Sequence, residues 1–254
     1  AISYHNHLKS KGSRADIALK IDTGMSRLGF PDSLNLEEFS KKYPLFDVTH
    51  VLSHLSASDT DVEYSKMQDE RFQNFLNQPH PYHFDTSLFN SSAIANFPNK
   101  YTLVRPGLFM YGYVNGPAEA EVGLKPVMKI FSKVVHVQKV KKGESVSYNR
   151  TFIADKDCIA GVVPIGYADG YNRSLSNKGE MYIGGVRCRV LGNICMDMTV
   201  VELSELGESA YGMEVEVLGD NITATEISTL AGTIEYEFLC GISYRIPRIY
   251  SHED

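Results

Sequence analysis

Four cysteines are all that this 254-residue chain contains, and Cys158, Cys188, Cys195 and Cys240 form no CxxC pair. That spacing argues against a zinc knuckle and against a disulfide framework, so a reduced, cytoplasmic protein is expected. Positive charge is also short: 25 Lys and Arg stand against 31 Asp and Glu, a net charge of −6. Such a balance gives no electrostatic reason to bind a polyanion, and no nucleic-acid partner is expected. Apolar runs never approach the roughly 20 residues of a membrane helix, and Ala1 to Arg14 lacks the apolar middle of a secretory signal. What is present is the make-up of a soluble globular protein, 43% hydrophobic and 22% charged, with enough apolar material for one or two cores.

From Asp16 to about Gly107 short apolar runs alternate with helical patterns, the texture of βα units on a parallel sheet. Strands are expected at Asp16 to Ile21, Phe46 to Ser53, Tyr82 to Asp85 and Tyr101 to Val104. Thr60 and Glu63 read as a capping box ahead of an apolar stripe of Tyr64, Met67, Phe72, Phe75 and Leu76. Beyond Gly123 the segments Val134 to Val137, Ile159 to Pro164, Met181 to Val190, Met196 to Leu203 and Glu214 to Leu218 are β-like. Two short helices are expected there, one opened by Thr223 with Glu226, the other after Thr233. The fold class is therefore α/β followed by a mainly β domain, with a first domain over residues 1–124 and a second over 125–254. A complete (β/α)8 TIM barrel needs about 250 residues, so the first region holds about four βα units, a partial barrel.

His50 and His54 have the i, i+4 spacing of helical metal ligands, but they lie in a β-branched segment, where four residues span about 13 Å. No metal site is expected. Lys20 to Phe30 leaves a strand at its carboxyl end, where α/β folds hold ligands, and brings Lys20, Asp22, Thr23 and Arg27 among glycines. The planar fork of an arginine there suits a carboxylate or phosphate. Asn90-Ser91-Ser92 opens a helix, and Arg105-Pro106-Gly107-Leu108 follows the fourth strand. Both offer backbone N–H groups that suit a phosphate, as well as an ordinary cap and turn. In the β half, Ser147-Tyr148-Asn149, Gly166-Tyr167 and Cys195-Met196-Asp197 fall at strand ends or turns, where a tyrosine hydroxyl often lines a site.

Taken in order, Lys20 to Gly29, Ser53-His54-Leu55, Asn90-Ser91, Arg105 to Gly112, Ser147-Tyr148, Gly166 to Gly170, Cys195-Met196-Asp197, Tyr236-Glu237 and Tyr244 to Arg248 resemble the alanine racemase family. These are pyridoxal 5′-phosphate (PLP) enzymes with a barrel and a C-terminal β domain. The resemblance implies that Tyr148 exchanges the α-proton on one face of the substrate, helped by His54 and Arg105, because a phenol of pKa near 10 is a poor base at neutral pH. It implies that Arg105 donates to the cofactor's pyridine nitrogen, keeping the ring a weaker electron sink. Asn90, Ser91, Gly107, Leu108 and Tyr236 match phosphate-side positions. Arg27 and the Met196 backbone match binders of the substrate carboxylate. Tyr167, Asp59 and Arg173 match the entry channel, and Lys20 matches a lysine that is carbamylated in some members.

Two features depart from the family pattern. Its Schiff-base lysine lies in an N-terminal Lys-Ala-x-Ala-Tyr-Gly-His motif that does not occur between Ala1 and Asp254. The chain is accordingly expected to be the C-terminal two thirds of a racemase, inactive as an isolated fragment, whose parent is a homodimer converting L-alanine to D-alanine for bacterial peptidoglycan. Asn193 stands where many members have an arginine near the channel, a change expected to leave the proton-transfer residues untouched. Serine racemisation, known on related scaffolds of vancomycin resistance, is one alternative, and retention of Tyr236 favours alanine over it. A non-catalytic dimerisation or binding remnant is the other.

Overall fold

A computed structural model of the chain describes residues 1–115 and 122–251. The chain divides into two units, Ala1–Lys125 and Pro126–Asp254. No helix among the described residues is long and apolar enough to cross a membrane.

The first unit opens with α1 (Ile2–Lys11), closed by Gly12 in the left-handed conformation. There follow β1 (Ala15–Asp22), β2 (Phe30–Pro31), α2 (Leu36–Lys42), β3 (Phe46–Leu52), α3 (Val62–Leu76), β4 (Asp85–Asn90), α4 (Ser91–Asn96) and β5 (Leu103–Arg105). The sheet order is β2-β1-β3-β4-β5, and every pairing is parallel. The period of two along β1 buries Leu19 and Ile21 while Lys20 and Asp22 turn to the opposite, more open face. Leu19 and Ile21 join Val48, Val51, Leu88 and Phe89 in one core with Leu36, Phe39, Phe72 and Phe75 of the helices. The result is an α/β partial barrel, as the alternation of patterns implies.

Several boundaries differ from the sequence expectation. The third βα strand is Asp85–Asn90 rather than Tyr82 to Asp85. Tyr82 and Phe84 are aromatic enough to read as a strand, but they pack from a loop, with Phe84 against His80 at 4.6 Å between ring centroids. Ser87, Leu88 and Phe89 take the buried ladder instead. The cap of α3 is Asp61, whose Oδ1 accepts the Tyr64 N–H at 2.9 Å, so the expected Thr60–Glu63 box does not form. Its deepest face is Ser65, Gln68, Phe72 and Phe75, turned slightly from the apolar stripe because Gln68 has polar work inside. The two-residue β2 was not expected at all; a strand this short carries no periodicity.

The second unit is antiparallel β with two helices: β6 (Ile130–Lys133), β7 (His136–Val140), β8 (Ser145–Val146), β9 (Phe152–Ile153), β10 (Cys158–Val163), β11 (Glu180–Ile183), β12 (Val186–Arg189), β13 (Thr199–Glu202), β14 (Glu214–Leu218), α5 (Ala224–Ala231) and α6 (Glu235–Gly241). They form the sheets β13-β10-β7 and β12-β11-β14-β6 and the ribbon β8-β9. Val134 and Val135 sit in the break between β6 and β7 rather than inside one strand, each bonded to a different neighbour. Met181 to Val190 is a hairpin, turned by Gly184 and Gly185, both at positive φ. The expected box at α5 is present: the Thr223 hydroxyl and the Glu226 backbone and carboxylate cap one another.

Candidate active site

In a parallel sheet all strands deliver their carboxyl ends to one edge. In the first unit that edge carries the loop after β1, Ser53-His54-Leu55 after β3, Asn90-Ser91 after β4 and Arg105 at the end of β5. The Arg105 guanidinium reaches across it. Its Nη2 donates to the Ser53 carbonyl at 2.7 Å, lies 3.0 Å from His54 Nδ1 and 3.4 Å from the Leu88 carbonyl, and its Nη1 donates to Ser87 Oγ. A guanidinium has no acceptor, so His54 Nδ1 must be the acceptor, and the imidazole hydrogen sits on Nε2. The electrostatics agree. Burial, reinforced by the cations Arg105, Arg27 and Lys20, pushes His54 down to about 4. Burial and then Arg105 and Arg27 lower Lys20, against the opposing pull of Asp22. Lys20, Arg27 and Arg105 therefore form one electropositive field around a neutral His54.

Groups to which the sequence assigned no role hold this edge in place. Thr23 and Ser53 pair their buried hydroxyls at 2.8 Å. Gln68 donates to the His54 carbonyl at 3.2 Å and accepts from the Ser56 N–H and hydroxyl. The loop bearing Arg27 is tied by Asp22, whose Oδ1 accepts the N–H groups of Gly24 and Ser26 at 2.9 and 3.0 Å. Those two N–H groups keep its carboxyl below the ordinary range. Tyr64 clamps the same loop through its hydroxyl to the Gly24 carbonyl at 2.7 Å. Gly29 has φ +131, and a Cβ there would fall 2.8 Å from the Asp22 nitrogen. Arg27 makes no hydrogen bond or ion pair among the described residues.

Asn90 and Ser91 meet the Arg105 to Leu108 turn. Asn90 Oδ1 caps α4 through the Ala93 N–H at 3.0 Å and accepts from Ser58 Oγ at 2.8 Å. Ser91, almost fully buried, accepts the Phe109 N–H at 3.2 Å. Gly107 donates to the Arg105 carbonyl at 2.9 Å, which folds the chain so that Leu108 starts a single helical turn. Two segments that are weak signals apart thus share one hydrogen bond.

The remaining candidates, Asp59 apart, lie in the second unit. Tyr148 occupies a short turn and is 68% exposed. Asn193 is buried and donates through Nδ2 to the Tyr148 carbonyl at 2.8 Å. The expectation that the change at Asn193 leaves the proton-transfer residues untouched is corrected: its amide bonds the backbone of Tyr148 itself. Tyr167 and Met196 share a corner where the Tyr167 N–H donates to the Cys195 carbonyl and the Ala168 N–H to the Met196 carbonyl, each at 3.0 Å. Arg245, unassigned by the resemblance, bolts this corner by donating to Asp169 and Asp197, both at 2.6 Å. Burial alone would raise the Asp169 carboxyl, but Arg245 and the Gly166 N–H bring it below its usual range. Tyr236 lies on α6, half-exposed, and Arg173 begins an exposed turn after Asn172; Asp59 lies in the first unit ahead of α3.

Comparison with known proteins adds to this geometry. Residues 2–115 match the family model "Alanine racemase, N-terminal domain" and residues 127–250 match "Alanine racemase, C-terminal domain". The alanine racemase of Desulforamulus reducens is 37% identical over 255 residues, covering 95% of this chain and 68% of that protein. That of Clostridium tetani is 37% identical over 251 residues, covering 93% and 65%. The crystal structure of alanine racemase from Bartonella henselae with covalently bound pyridoxal phosphate superposes with a TM-score of 0.87 at 30% identity, covering 98% of this chain and 70% of that one. The chain spans about two thirds of the length of these relatives.

Proposed function

The chain belongs to the alanine racemase family, and on that premise we propose that it supplies the cofactor cradle and one of the two proton-transfer groups for PLP-dependent interconversion of L- and D-alanine. The observation that carries this reading is the contact of Arg105 Nη2 with His54 Nδ1 at the carboxyl edge of the sheet. The residues fit a flat ring with an anionic tail. Arg105 would donate to the pyridine nitrogen. Ser91, Gly107 and Leu108, joined through the Phe109 N–H to Ser91 contact, would hold the phosphate, with Asn90 fixing the start of α4 and Tyr236 adding its hydroxyl. Bound there, the cofactor supplies an electron sink that acidifies the substrate's α-hydrogen.

The chain's own groups do the rest. Arg27 and the Met196 N–H would hold the substrate carboxylate, and Tyr167 would line its path. Tyr148 would take and return the α-proton on one face. His54, neutral with its hydrogen on Nε2, is a donor suited to a phenolate oxygen. The exposure of Tyr148 leaves its hydroxyl free to serve a second copy of the chain, as a shared active site in a homodimer requires. The lowered pKa of Lys20 favours the free amine that adds carbon dioxide, and the resulting carbamate would place one negative charge among Arg27, Arg105 and His54. Retention of Tyr236 supports alanine over serine as substrate.

Because the Lys-Ala-x-Ala-Tyr-Gly-His segment is not in this sequence, these residues would supply the phenol side of the reaction, not the lysine side, and the chain by itself is expected to exchange the α-proton without inverting alanine. Titration of the chain with PLP, followed by absorbance and equilibrium dialysis, tests the cradle. Arg105→Ala and Ser91→Asp are each expected to weaken binding at least tenfold, and pyridoxal without the phosphate to bind at least tenfold more weakly than PLP. Binding that is indifferent to all three changes would refute it.

A further inference from the structure

Tyr148 sits in an unusual stretch of backbone. Ser147 has φ 65 and ψ −174, Asn149 has φ 61 and Arg150 has φ 51, so three of four consecutive residues, none of them glycine, have positive φ. L-residues avoid that region because Cβ crowds the backbone, and such a run persists only where its surroundings over-determine it.

The surroundings here converge on Asn193. Its side-chain Nδ2 donates to the Tyr148 carbonyl at 2.8 Å, and its own carbonyl accepts the Ser147 hydroxyl at 2.5 Å. One residue thus grips the turn on both sides of the Cα of Tyr148 and is itself only 8% exposed. Cys195 Sγ lies 3.4 Å from the same Ser147 oxygen. The preceding Gly192 permits the close approach: at φ +75, a Cβ on it would lie 2.5 Å from the Val146 carbonyl oxygen. Gly192 is fixed in turn by Asn177, which accepts its N–H at 2.7 Å and donates to Thr151 at 3.1 Å beyond the turn. The tyrosine ring, by contrast, is exposed. Its aim is therefore set from the backbone beneath, not by packing around the ring.

We propose that Asn193 is the positioning residue for Tyr148, its amide and carbonyl forming a two-way clasp that holds the strained turn and so aims the phenol. The inference rests on the reading of Tyr148 as the group that exchanges the α-proton, and its test separates the two. Asn193→Asp keeps shape and removes the donor; Asn193→Ala removes the side-chain amide and leaves the backbone carbonyl that accepts from Ser147. In the full chain carrying carbonyl-13C tyrosine, both variants are expected to keep the amide pattern of the second unit, to move the Tyr148 carbonyl resonance and to speed exchange of the amides of residues 147–150 at least tenfold. With PLP and alanine in deuterated water, exchange of the α-hydrogen of one enantiomer is expected to fall at least tenfold at saturating alanine with KM changed less than threefold. PLP affinity is expected to be unchanged. Should the Asn193 variants not fold, Ser147→Ala removes the return hydrogen bond and is expected to give a smaller change of the same kind. A carbonyl resonance and exchange rates like the parent's in Asn193→Asp would overturn the clasp. If Tyr148→Phe leaves α-hydrogen exchange intact, the proton-exchange reading fails, and with it the functional half of the proposal, while the carbonyl and amide data judge the clasp separately.

Discussion

Acidification should break the Arg105–His54 pair before it disturbs the rest of the first unit. His54 titrates at about 4 in the folded chain against an ordinary 6.5. Between those values the unfolded chain binds a proton that the folded chain refuses, so stability falls as pH drops through this window and is fully present above it. A difference of about 2.5 in pKa, at 1.36 kcal/mol each, sets a ceiling of about 3.4 kcal/mol. Partial solvent access to the imidazole reduces this to about 1–2 kcal/mol. Carboxylates elsewhere also titrate here, so the informative quantity is the difference between the parent and His54→Asn, whose side-chain oxygen can still accept from Arg105. Urea unfolding at pH 7 and pH 4.5, read from amide signals of the first unit, should show the parent losing about 1–2 kcal/mol more than the variant. Equal losses in the two proteins, or a His54 ring resonance that titrates near 6.5, would refute the neutral acceptor role.

Lys20 offers a second test on the chain alone. Incubation with 13C-bicarbonate should give a carbamate carbon signal that Lys20→Gln abolishes; a spectrum without any such signal would count against the modification. Gly166→Ala places a methyl group 2.3 Å from the Cys195 carbonyl and 2.5 Å from that of Met196. Neither backbone can retreat cheaply, so a loss of about 3 kcal/mol or more is expected in denaturation of the second unit. A loss below about 1 kcal/mol would show that the Tyr167–Met196 corner is soft.

The candidate residues were legible where chemistry is local. Lys20 to Gly29, Asn90-Ser91 and Arg105 to Leu108 each show a strand end, a cap or a turn within a few positions, and the sheet then brings them to one edge. The α5 capping box was readable for the same reason. What was not legible depends on partners far apart in sequence. Gln68 reads as a polar interruption of an apolar stripe until its amide is seen on the His54 carbonyl. Asn193 and Tyr148 are 45 positions apart, and Arg245 and Asp169 are 76 apart, so no spacing announces them. The expected strand at Tyr82 to Asp85 failed because aromatic content marks burial, and burial in a loop beside His80 looks the same in one dimension as burial in a sheet.

Whether this chain carries both a PLP cradle and a single proton-exchanging phenol is tested most directly by α-hydrogen exchange. The chain, PLP and each alanine enantiomer are combined in deuterated water, with proton NMR following exchange and chiral chromatography following inversion. The predicted result is exchange of one enantiomer only, above the rate with PLP alone, with retention of configuration and loss of the effect in Tyr148→Phe. Exchange of both enantiomers, inversion catalysed by the chain alone, or exchange that survives Tyr148→Phe would contradict it.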